Sequence, residues 1–374
     1  MELFEVYPLY DVTPVKALGS TVWDKNNQQY LDLYGGHGVI SVGHSHPKYV
    51  EKLTAQLNKI GFYSNAVQNP LQQQLAGKLG SVSNCEDYNL FLCNSGTEAN
   101  ENALKVASFV TGKSRVISFE NSFHGRTSAS VSITDNKKIQ ATINRFNPVT
   151  ILPLNELFLL EKALEKGDVC AVIIEGIQGV GGLDEGTTKF FKGMEQLCWK
   201  YEALLIVDEI QSGYGRSGAF FAYQHHQIKP DIVTVAKGMG NGYPMAGVLI
   251  HETIKASLGM LGTTFGGNHL ACVAGLAVLE IIEEEGLLKN VTDVSNYFVR
   301  QVKTIDAVKN IKGKGLMIGL EFENEVGDLR RKLIYEEHIF TGGATNKKML
   351  RILPPLNITF NEIDVFITAL KKLV

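Results

Sequence analysis

Residues 203–241 read ALLIVDEIQSGYGRSGAFFAYQHHQIKPDIVTVAKGMGN, and two apolar runs in this stretch predict the fold. Ala203–Val207 ends at Asp208, and Asp231–Ala236 ends at Lys237. Short runs rich in branched residues are typical of buried strands in a parallel sheet. In open α/β sheets the ligand crevice lies beyond the carboxyl ends of such strands. We therefore expect Asp208 and Lys237 to face one pocket.

Lys237 and Asp208 together indicate a particular chemistry. A lysine at the edge of a buried sheet loses hydration, which lowers its pKa and frees the amine to attack carbonyl groups. An aspartate in the same pocket can keep the nitrogen of a pyridine ring protonated. This pair is typical of pyridoxal 5'-phosphate enzymes, in which the lysine binds the cofactor covalently and the aspartate strengthens the ring as an electron sink. Both residues could equally be polar residues that end buried strands, and this stretch by itself leaves the two interpretations open.

The composition excludes several classes of protein. The chain has 374 residues, 44% of them hydrophobic and 20% charged, with a net charge of −3 and a pI of about 6.3. A chain of this length can bury a large core. The absence of a basic run argues against a nucleic-acid or anionic membrane partner. No apolar run reaches the roughly 18 residues of a membrane span. The first cation after the start is Lys16, unlike a signal or transit peptide.

The cysteines and histidines indicate neither a disulfide framework nor a metal site. The cysteines are odd in number and scattered without CxxC spacing, at Cys85, Cys93, Cys170, Cys198 and Cys272. We therefore expect free thiols in a reducing cytoplasm. The nine histidines include no HExxH motif, so no metal ligand is predicted.

Two segments, VDEIQSGYGRSG (residues 207–218) and TVAKGMGNGYPMA (residues 234–246), resemble the signature of class III, ornithine-type aminotransferases. Further motifs similar to those of this family lie in the same order between about residues 30 and 357. The resemblance implies an α/β, fold-type-I pyridoxal phosphate transferase, with a mostly parallel seven-stranded sheet flanked by helices. It also implies a small α+β domain built from both termini. We place the large domain at residues 46–279 and the small domain at residues 1–45 and 280–374.

A predicted strand, Asn89–Cys93, is followed by small and hydroxyl residues and a helix, Ala99–Val110. Free backbone N–H groups at a helix N-terminus form a ready phosphate site. Ordinary capping of the helix by serine or threonine is the alternative. The resemblance of the segment SGTEAN to the family's phosphate motif assigns the cofactor phosphate to Ser95, Gly96 and Thr97.

The segment SFHGRT follows another predicted strand, Arg115–Phe119. Phe123 offers a flat apolar face for a heterocycle, and Arg126 offers a planar fork for a carboxylate. One core phenylalanine and one solvated arginine would fit the same residues. The resemblance implies that Phe123 stacks on the cofactor ring and that Arg126 binds a substrate carboxylate.

The resemblance assigns five more residues to the site. Gln211 would contact the ring hydroxyl of the cofactor. Glu175, which directly follows the predicted strand CAVII, would lie beside the substrate. Thr263 would lie close to the substrate, while Thr264 would reach the cofactor phosphate of the neighbouring subunit, which implies a homodimer with shared active sites. Arg351 would be a second carboxylate-binding arginine; an exposed strand arginine is the alternative.

One position departs from the family pattern. The family has E-P-x-Q-G-E-G-G where this chain has EGIQGVGG, so that Val180 replaces the second glutamate. In ornithine-type enzymes this glutamate can pair with the arginine that we match to Arg351. We therefore expect Arg351 to be unmasked and an acyl group with its own carboxylate to be favoured. The expected order of preference is succinylornithine, then acetylornithine, then ornithine.

The implied activity is a pyridoxal phosphate-dependent transamination. The motifs are most similar to those of family members that transfer the terminal amino group of acetylornithine or succinylornithine to 2-oxoglutarate, in arginine biosynthesis. Lys237 would bind the cofactor and move the proton, and Asp208 would keep the ring nitrogen protonated. Ornithine, 4-aminobutyrate and glutamate-1-semialdehyde are alternative substrates within the family. A catalytically silent cofactor-binding protein is the alternative from another class, although the retained arginines, Arg126 and Arg351, argue against it.

Overall fold

The computed structural model describes residues 1–374, in fifteen strands and eleven helices. The strands are β1 (Pro14–Leu18), β2 (Thr21–Asp24), β3 (Gln29–Asp32), β4 (Tyr88–Cys93), β5 (Arg115–Phe119), β6 (Val149–Leu152), β7 (Val169–Glu175), β8 (Leu204–Asp208), β9 (Ile232–Val235), β10 (Ala246–His251), β11 (Val308–Lys314), β12 (Met317–Phe322), β13 (Ile339–Phe340), β14 (Gly342–Gly343) and β15 (Met349–Ile352). The helices are α1 (Gly35–Gly38), α2 (Pro47–Leu57), α3 (Pro70–Ser83), α4 (Gly96–Thr111), α5 (Ser128–Ser132), α6 (Leu157–Leu164), α7 (Thr188–Lys200), α8 (His269–Glu284), α9 (Leu287–Val302), α10 (Gly327–Tyr335) and α11 (Phe360–Leu373).

Seven strands form the central sheet, in the order β4-β10-β9-β8-β7-β5-β6. Neighbouring strands are parallel, except that β10 runs antiparallel to both β9 and β4. In β8, Leu205 and Val207 pack into one buried apolar cluster while Ile206 packs into another. Both faces of the sheet are therefore covered, as the near-continuous apolar runs predict. The predicted mostly parallel seven-stranded sheet is confirmed.

The two strands predicted from residues 203–241 are β8 and β9. They pair in parallel, and Asp208 at the end of β8 lies opposite Thr234 of β9. Because parallel neighbours end at the same edge of the sheet, Asp208 and the residues that follow β9 meet there. The antiparallel strand β10 then returns along the far side of β9.

Helix α4 leads from the same edge back across the sheet. It begins with a capping box between Ser95 and Glu98 and ends at Gly112, whose φ of 69° suits a residue without a Cβ. The predicted helix, Ala99–Val110, lies within it. Its small buried residues, Ala99, Ala103 and Ala107, pack with strand residues of the central sheet in one cluster. Small side chains allow the helix to lie close to the sheet.

Two four-stranded sheets lie outside the central one, in the orders β1-β2-β3-β13 and β11-β12-β15-β14. β2 and β3 form the predicted strand pair around Lys25-Asn26-Asn27, with Asn27 at a φ of 63°. β13 pairs in parallel with β3 and so joins the two ends of the chain, as expected for a smaller region built from both termini. The domain boundaries at residues 46 and 279 stay a prediction. No helix is long and apolar enough to cross a membrane.

Helix α11 closes the chain and begins, as predicted, with a capping box between Thr359 and Glu362. On its inner face the ring of Phe366 is fully buried and stacks on Phe298 of α9, with centroids 5.8 Å apart and planes at 12°. On the same helix Phe360 is 45% exposed. The two phenylalanines therefore give a matched pair for testing the packing of this end of the chain.

We expect Phe366→Ala to lower the free energy of unfolding by about 3–5 kcal/mol, because the substitution leaves a cavity in the core. Phe360→Ala should change it by no more than about 1 kcal/mol. Urea unfolding of the cofactor-free protein, followed by circular dichroism, measures both. Equal losses in the two variants would contradict the buried stacking of α11 on α9.

Candidate active site

A cavity of about 250 Å³ opens at the edge of the central sheet where β8 and β9 end. It is lined by most of the residues that the motifs single out: Gly96, Thr97, Phe123, His124, Gly125, Arg126, Glu175, Val180, Asp208, Ile210, Gln211 and Lys237. The expectation that Asp208 and Lys237 face one pocket is met by this geometry. Ser95, Thr263, Thr264 and Arg351 do not line the cavity.

Lys237 follows β9 with a φ of 45°, in the left-handed region that residues other than glycine rarely adopt. Its amine has no hydrogen-bond partner. Burial lowers the pKa of Lys237, the negative charges of Asp208 and Glu175 oppose this shift, and the charge of Arg351 adds to it. A backbone in a rare conformation and a desolvated amine are both typical of functional positions. Lys237 is therefore placed to act as a nucleophile toward a carbonyl group.

Asp208 is 3% exposed and receives three donors. Its Oδ1 accepts from the backbone N–H of Ile210 at 3.0 Å, and its Oδ2 accepts from Nδ2 of Asn100 and lies 2.8 Å from Nδ1 of His124. Nε2 of His124 is buried without a partner. Because Oδ2 of Asp208 accepts, His124 takes part in this contact as a donor through Nδ1. The three donors fix the orientation of the Asp208 carboxylate.

The roles of Asn100 and His124 were missed by sequence reasoning. Both lie inside quoted motifs, SGTEAN and SFHGRT, but no local pattern indicates that they meet Asp208. Asn100 also donates to the backbone oxygen of His124 and accepts from the hydroxyl of Thr234, which ties α4 to the sheet. The one signal in the sequence is Asn100 itself, because a polar amide on the otherwise apolar face of a helix needs a hydrogen-bond partner when it is buried.

The N-terminus of α4 forms one end of the cavity. Ser95 is an ordinary cap: its hydroxyl accepts from the backbone N–H of Glu98 and does not reach the cavity. Gly96 and Thr97 line the cavity, and a Cβ on Gly96 would lie 2.9 Å from the side chain of Ile210. The first-turn N–H groups therefore stand where the sequence predicts an anion, while the hydroxyl of Thr97 is held by Ser130 at 2.5 Å.

Glu175 links the backbones of Phe123 and Gly179 beside the cavity. The carboxylate of Glu175 accepts from the backbone N–H groups of Phe123 and Gly179, at 2.9 and 2.8 Å. Burial raises the pKa of Glu175 to about 7. Arg126, in contrast, is exposed at the rim and forms no ion pair, so its guanidinium is free for a carboxylate.

Arg351 lies behind the cavity and is 3% exposed. Its Nε donates to the backbone oxygen of Gly343 at 2.6 Å, its Nη1 to that of Gly179 at 2.7 Å, and its Nη2 to the hydroxyl of Tyr34 at 3.1 Å. The expectation that Val180 leaves Arg351 unmasked is wrong, because each guanidinium nitrogen of Arg351 already donates to one of these neutral oxygens. Arg351 is also not the exposed strand arginine of the alternative interpretation.

Gln211 connects Arg351 with the cavity. Its Oε1 lies 3.4 Å from Nη1 of Arg351, and its Nε2 donates to the backbone oxygen of His37 at 2.8 Å. Thr263 and Thr264 lie elsewhere: the hydroxyl of Thr263 accepts from Gly266 N at 3.1 Å, and Thr264 is exposed. Within one chain, neither threonine reaches the cavity of Lys237.

The fold and this cavity define a class of protein. A desolvated lysine, a buried aspartate, an aromatic face and a helix N-terminus together fit the aldehyde, ring nitrogen, ring and phosphate of pyridoxal phosphate. This is the arrangement of a fold-type-I, pyridoxal phosphate-dependent transaminase. The profile of the family described as aminotransferase class-III matches residues 5–374, and the chain belongs to that family.

Individual relatives agree with this assignment. The chain is 39% identical to the acetylornithine aminotransferase of Bacillus subtilis (strain 168), over 99% of the chain and 97% of that protein. Among solved structures, it is similar to the ornithine aminotransferase of Toxoplasma gondii ME49, with a TM-score of 0.90 at 28% identity, covering 98% of this chain and 90% of that one. The acetylornithine aminotransferase of Elizabethkingia anophelis gives a TM-score of 0.84 at 27% identity, covering 98% and 94%.

The lowered pKa of Lys237 predicts where a carbonyl reagent reacts. We expect pyridoxal phosphate, added to the cofactor-free protein and trapped with borohydride, to label Lys237 at a lower pH than the exposed Lys162. The hydrogen bond that Lys162 donates to the carboxylate of Glu165 raises the pKa of Lys162 and favours its protonated amine. Mass spectrometry of peptides across a pH series measures the two labelling curves. Coincident curves would contradict a desolvated amine at Lys237.

Proposed function

We propose that this aminotransferase takes the terminal amino group of an N-acylated ornithine, acetylornithine or succinylornithine, and transfers it to 2-oxoglutarate. The products are the semialdehyde and glutamate, as in arginine biosynthesis. One observation carries the proposal: the unpartnered amine of Lys237 shares a cavity with Asp208, with the free guanidinium of Arg126 at the rim. The full-length similarity to a protein named acetylornithine aminotransferase supports the acylated donor.

Lys237 would bind the cofactor and act as the proton carrier. When bound, pyridoxal phosphate supplies an aldehyde that exchanges amino groups and a ring that accepts the electrons of a broken C–H bond. Once the donor has displaced it, Nζ of Lys237 would take the proton from the carbon that bears the donor's amine. Burial lowers the pKa of Lys237, so the amine is available as a base at a lower pH than an exposed lysine.

Asp208 would hold the proton on the ring nitrogen of the cofactor. Its three donors leave carboxylate lone pairs free, since two oxygens together offer about four acceptor sites. His124 would orient the carboxylate of Asp208 by donating to it through Nδ1. Phe123 would face the ring, and Gln211 would contact the ring hydroxyl.

The arginines would bind substrate carboxylates. Arg126 is exposed and unpaired, while Arg351 would exchange a neutral partner such as Tyr34 for a substrate carboxylate, a stronger acceptor. Glu175 would border the substrate beneath Phe123. With Val180 in the cavity wall, position 180 supplies no carboxylate to a free α-ammonium, which disfavours unmodified ornithine relative to an acylated donor.

The phosphate would be bound by the N-terminus of α4, at Gly96 and Thr97, next to the cap residue Ser95. Thr264, exposed in the single chain, would complete the phosphate site of a second subunit in a homodimer, with Thr263 beside the substrate. We place this homodimer in the cytoplasm, where its free cysteines would stay reduced.

A comparison of amino donors tests the proposal. With 2-oxoglutarate as acceptor, we expect acetylornithine or succinylornithine to exceed both ornithine and 4-aminobutyrate at least about tenfold in kcat/KM, which is about 1.4 kcal/mol. Glutamate formation by the purified holoenzyme is the measurement, and Lys237→Ala is the inactive control. A tenfold preference for ornithine would instead identify an ornithine aminotransferase. No turnover with any donor would identify a silent cofactor-binding protein.

Asp208→Asn tests the role of the aspartate. We expect the cofactor to remain bound while the rate of proton removal falls by several orders of magnitude, because a neutral amide does not stabilise the protonated ring nitrogen. Asp231→Asn is the matched control. Asp231 accepts the backbone N–H of Leu205 in β8, at the end of the β8–β9 pair opposite to Asp208. Single-turnover spectroscopy with glutamate measures the rate. A loss below about tenfold, or about 1.4 kcal/mol, would remove Asp208 from the role of ring partner.

A further inference from the structure

A second cavity, of about 770 Å³, lies on the other side of Tyr34 and His37; we call it the side cavity. The hydroxyl of Tyr34 contacts Arg351 and also lies 2.6 Å from Nδ1 of His37. The backbone oxygen of His37 accepts from Gln211, which lines the cavity of Lys237. Tyr34 and His37 line the side cavity, and one hydrogen bond joins His37 to a residue that lines the cavity of Lys237.

The wall of the side cavity is open at Gly36. This residue has a φ of 55°, and a Cβ built on it would have no atom within 4 Å. The space beside Tyr34 and His37 is thus not filled by a side chain of the chain itself. Gly36 therefore leaves room beside Tyr34 and His37, on the face that lines the side cavity, for a group that is not part of the chain.

Arg330 supplies the side cavity with an unsatisfied cation. Its Nη2 donates to the backbone oxygen of Thr341 at 3.1 Å, but its Nε is buried without a partner, and it forms no ion pair. Its Nη1 lies 2.7 Å from the position that a Cβ on Gly343 would take, so the guanidinium packs against the backbone of β14. The ring of Tyr10 lies 6.0 Å from the guanidinium carbon and covers it. This buried nitrogen in the cavity wall is available to donate to an acceptor that enters the cavity.

The charges around the side cavity are unbalanced. Burial lowers the pKa of His37, and the charges of Arg351, Lys237 and Arg330 lower it further, so all three cations act on this one ring. Asp32 is the only carboxylate in the lining. Its oxygens are occupied by the backbone N–H groups of Tyr34 and Gly35 and by His44, so that it does not neutralise Arg330.

We propose that the side cavity holds the acyl group of the amino donor, and that Arg330 binds a carboxylate at the end of that group. The inference rests on the proposed function and specifies its substrate class: ornithine acylated by a dicarboxylic acid, such as succinylornithine. A planar guanidinium with free N–H groups matches a carboxylate. An acetyl group has no carboxylate and leaves Arg330 unpaired. The expected preference for succinylornithine is kept but is assigned to Arg330, whose Nε has no partner to give up, and not to Arg351.

The test compares donors and arginines in the holoenzyme. We expect succinylornithine to exceed acetylornithine at least about tenfold in kcat/KM, which corresponds to about 1.4 kcal/mol. Arg330→Gln should remove this preference through a higher KM for succinylornithine, with acetylornithine changed less than about twofold. The neighbouring Arg331, which is exposed, gives the control Arg331→Gln, expected to behave as the parent. Arg330→Lys keeps the charge and should restore part of the preference.

Each contrary outcome has a distinct meaning. A parent preference for acetylornithine, or an equal loss for both donors in Arg330→Gln, would overturn the acyl-carboxylate site. A higher KM for 2-oxoglutarate in Arg330→Gln, with the donors unchanged, would assign the carboxylate to the acceptor and also overturn it. Turnover of neither acylornithine by an enzyme that still reacts with glutamate would reject the proposed function itself. Thermal unfolding of all three variants excludes loss of folding as the cause.

Discussion

Three hydrogen bonds to a buried carboxylate hold the site together. Asp208 lies at the edge of the central sheet and is almost inaccessible to solvent, and a charge in this position is tolerated only when its oxygens have donors. Those donors come from three different elements: Asn100 from α4, His124 from the loop after β5, and the backbone of Ile210 after β8. The helix, the loop and the strand must therefore keep one relative arrangement for the charge to be satisfied.

The same arrangement of helix, loop and strand determines the environment of the Lys237 amine. A lysine beyond the end of β9 would be an ordinary solvated cation if the sheet edge were open. Here α4, the loop after β5 and the segment after β7 enclose it, so that burial lowers the pKa of its amine. The negative charges of Asp208 and Glu175 limit the shift. The reactivity of the lysine thus follows from the enclosure of its side chain and the balance of charges around it.

Glycines allow the arginine side of the site to form. Strand β14 consists of Gly342 and Gly343, and a Cβ on these residues would meet the ring of Tyr34 and the guanidinium of Arg330. Tyr34 can then contact Arg351, and both arginines lie beside the backbone of Gly343. Burial and the nearby charge of Arg330 lower the pKa of Arg351.

The amino-acid sequence alone determined the strands on either side of the site, the helix that begins within the segment SGTEAN, and the edge at which Asp208 and Lys237 meet. These features follow from local patterns: apolar runs, caps and the rule that ligands lie at the carboxyl ends of parallel strands. The sequence did not indicate that Asn100 and His124 meet Asp208, that Arg351 is already bonded, or that Arg330 faces a cavity. Each of these depends on residues that are far apart in the chain and that only the packing of helices and loops brings together. Hydrogen-bond satisfaction and burial are properties of that packing, and no local pattern encodes them.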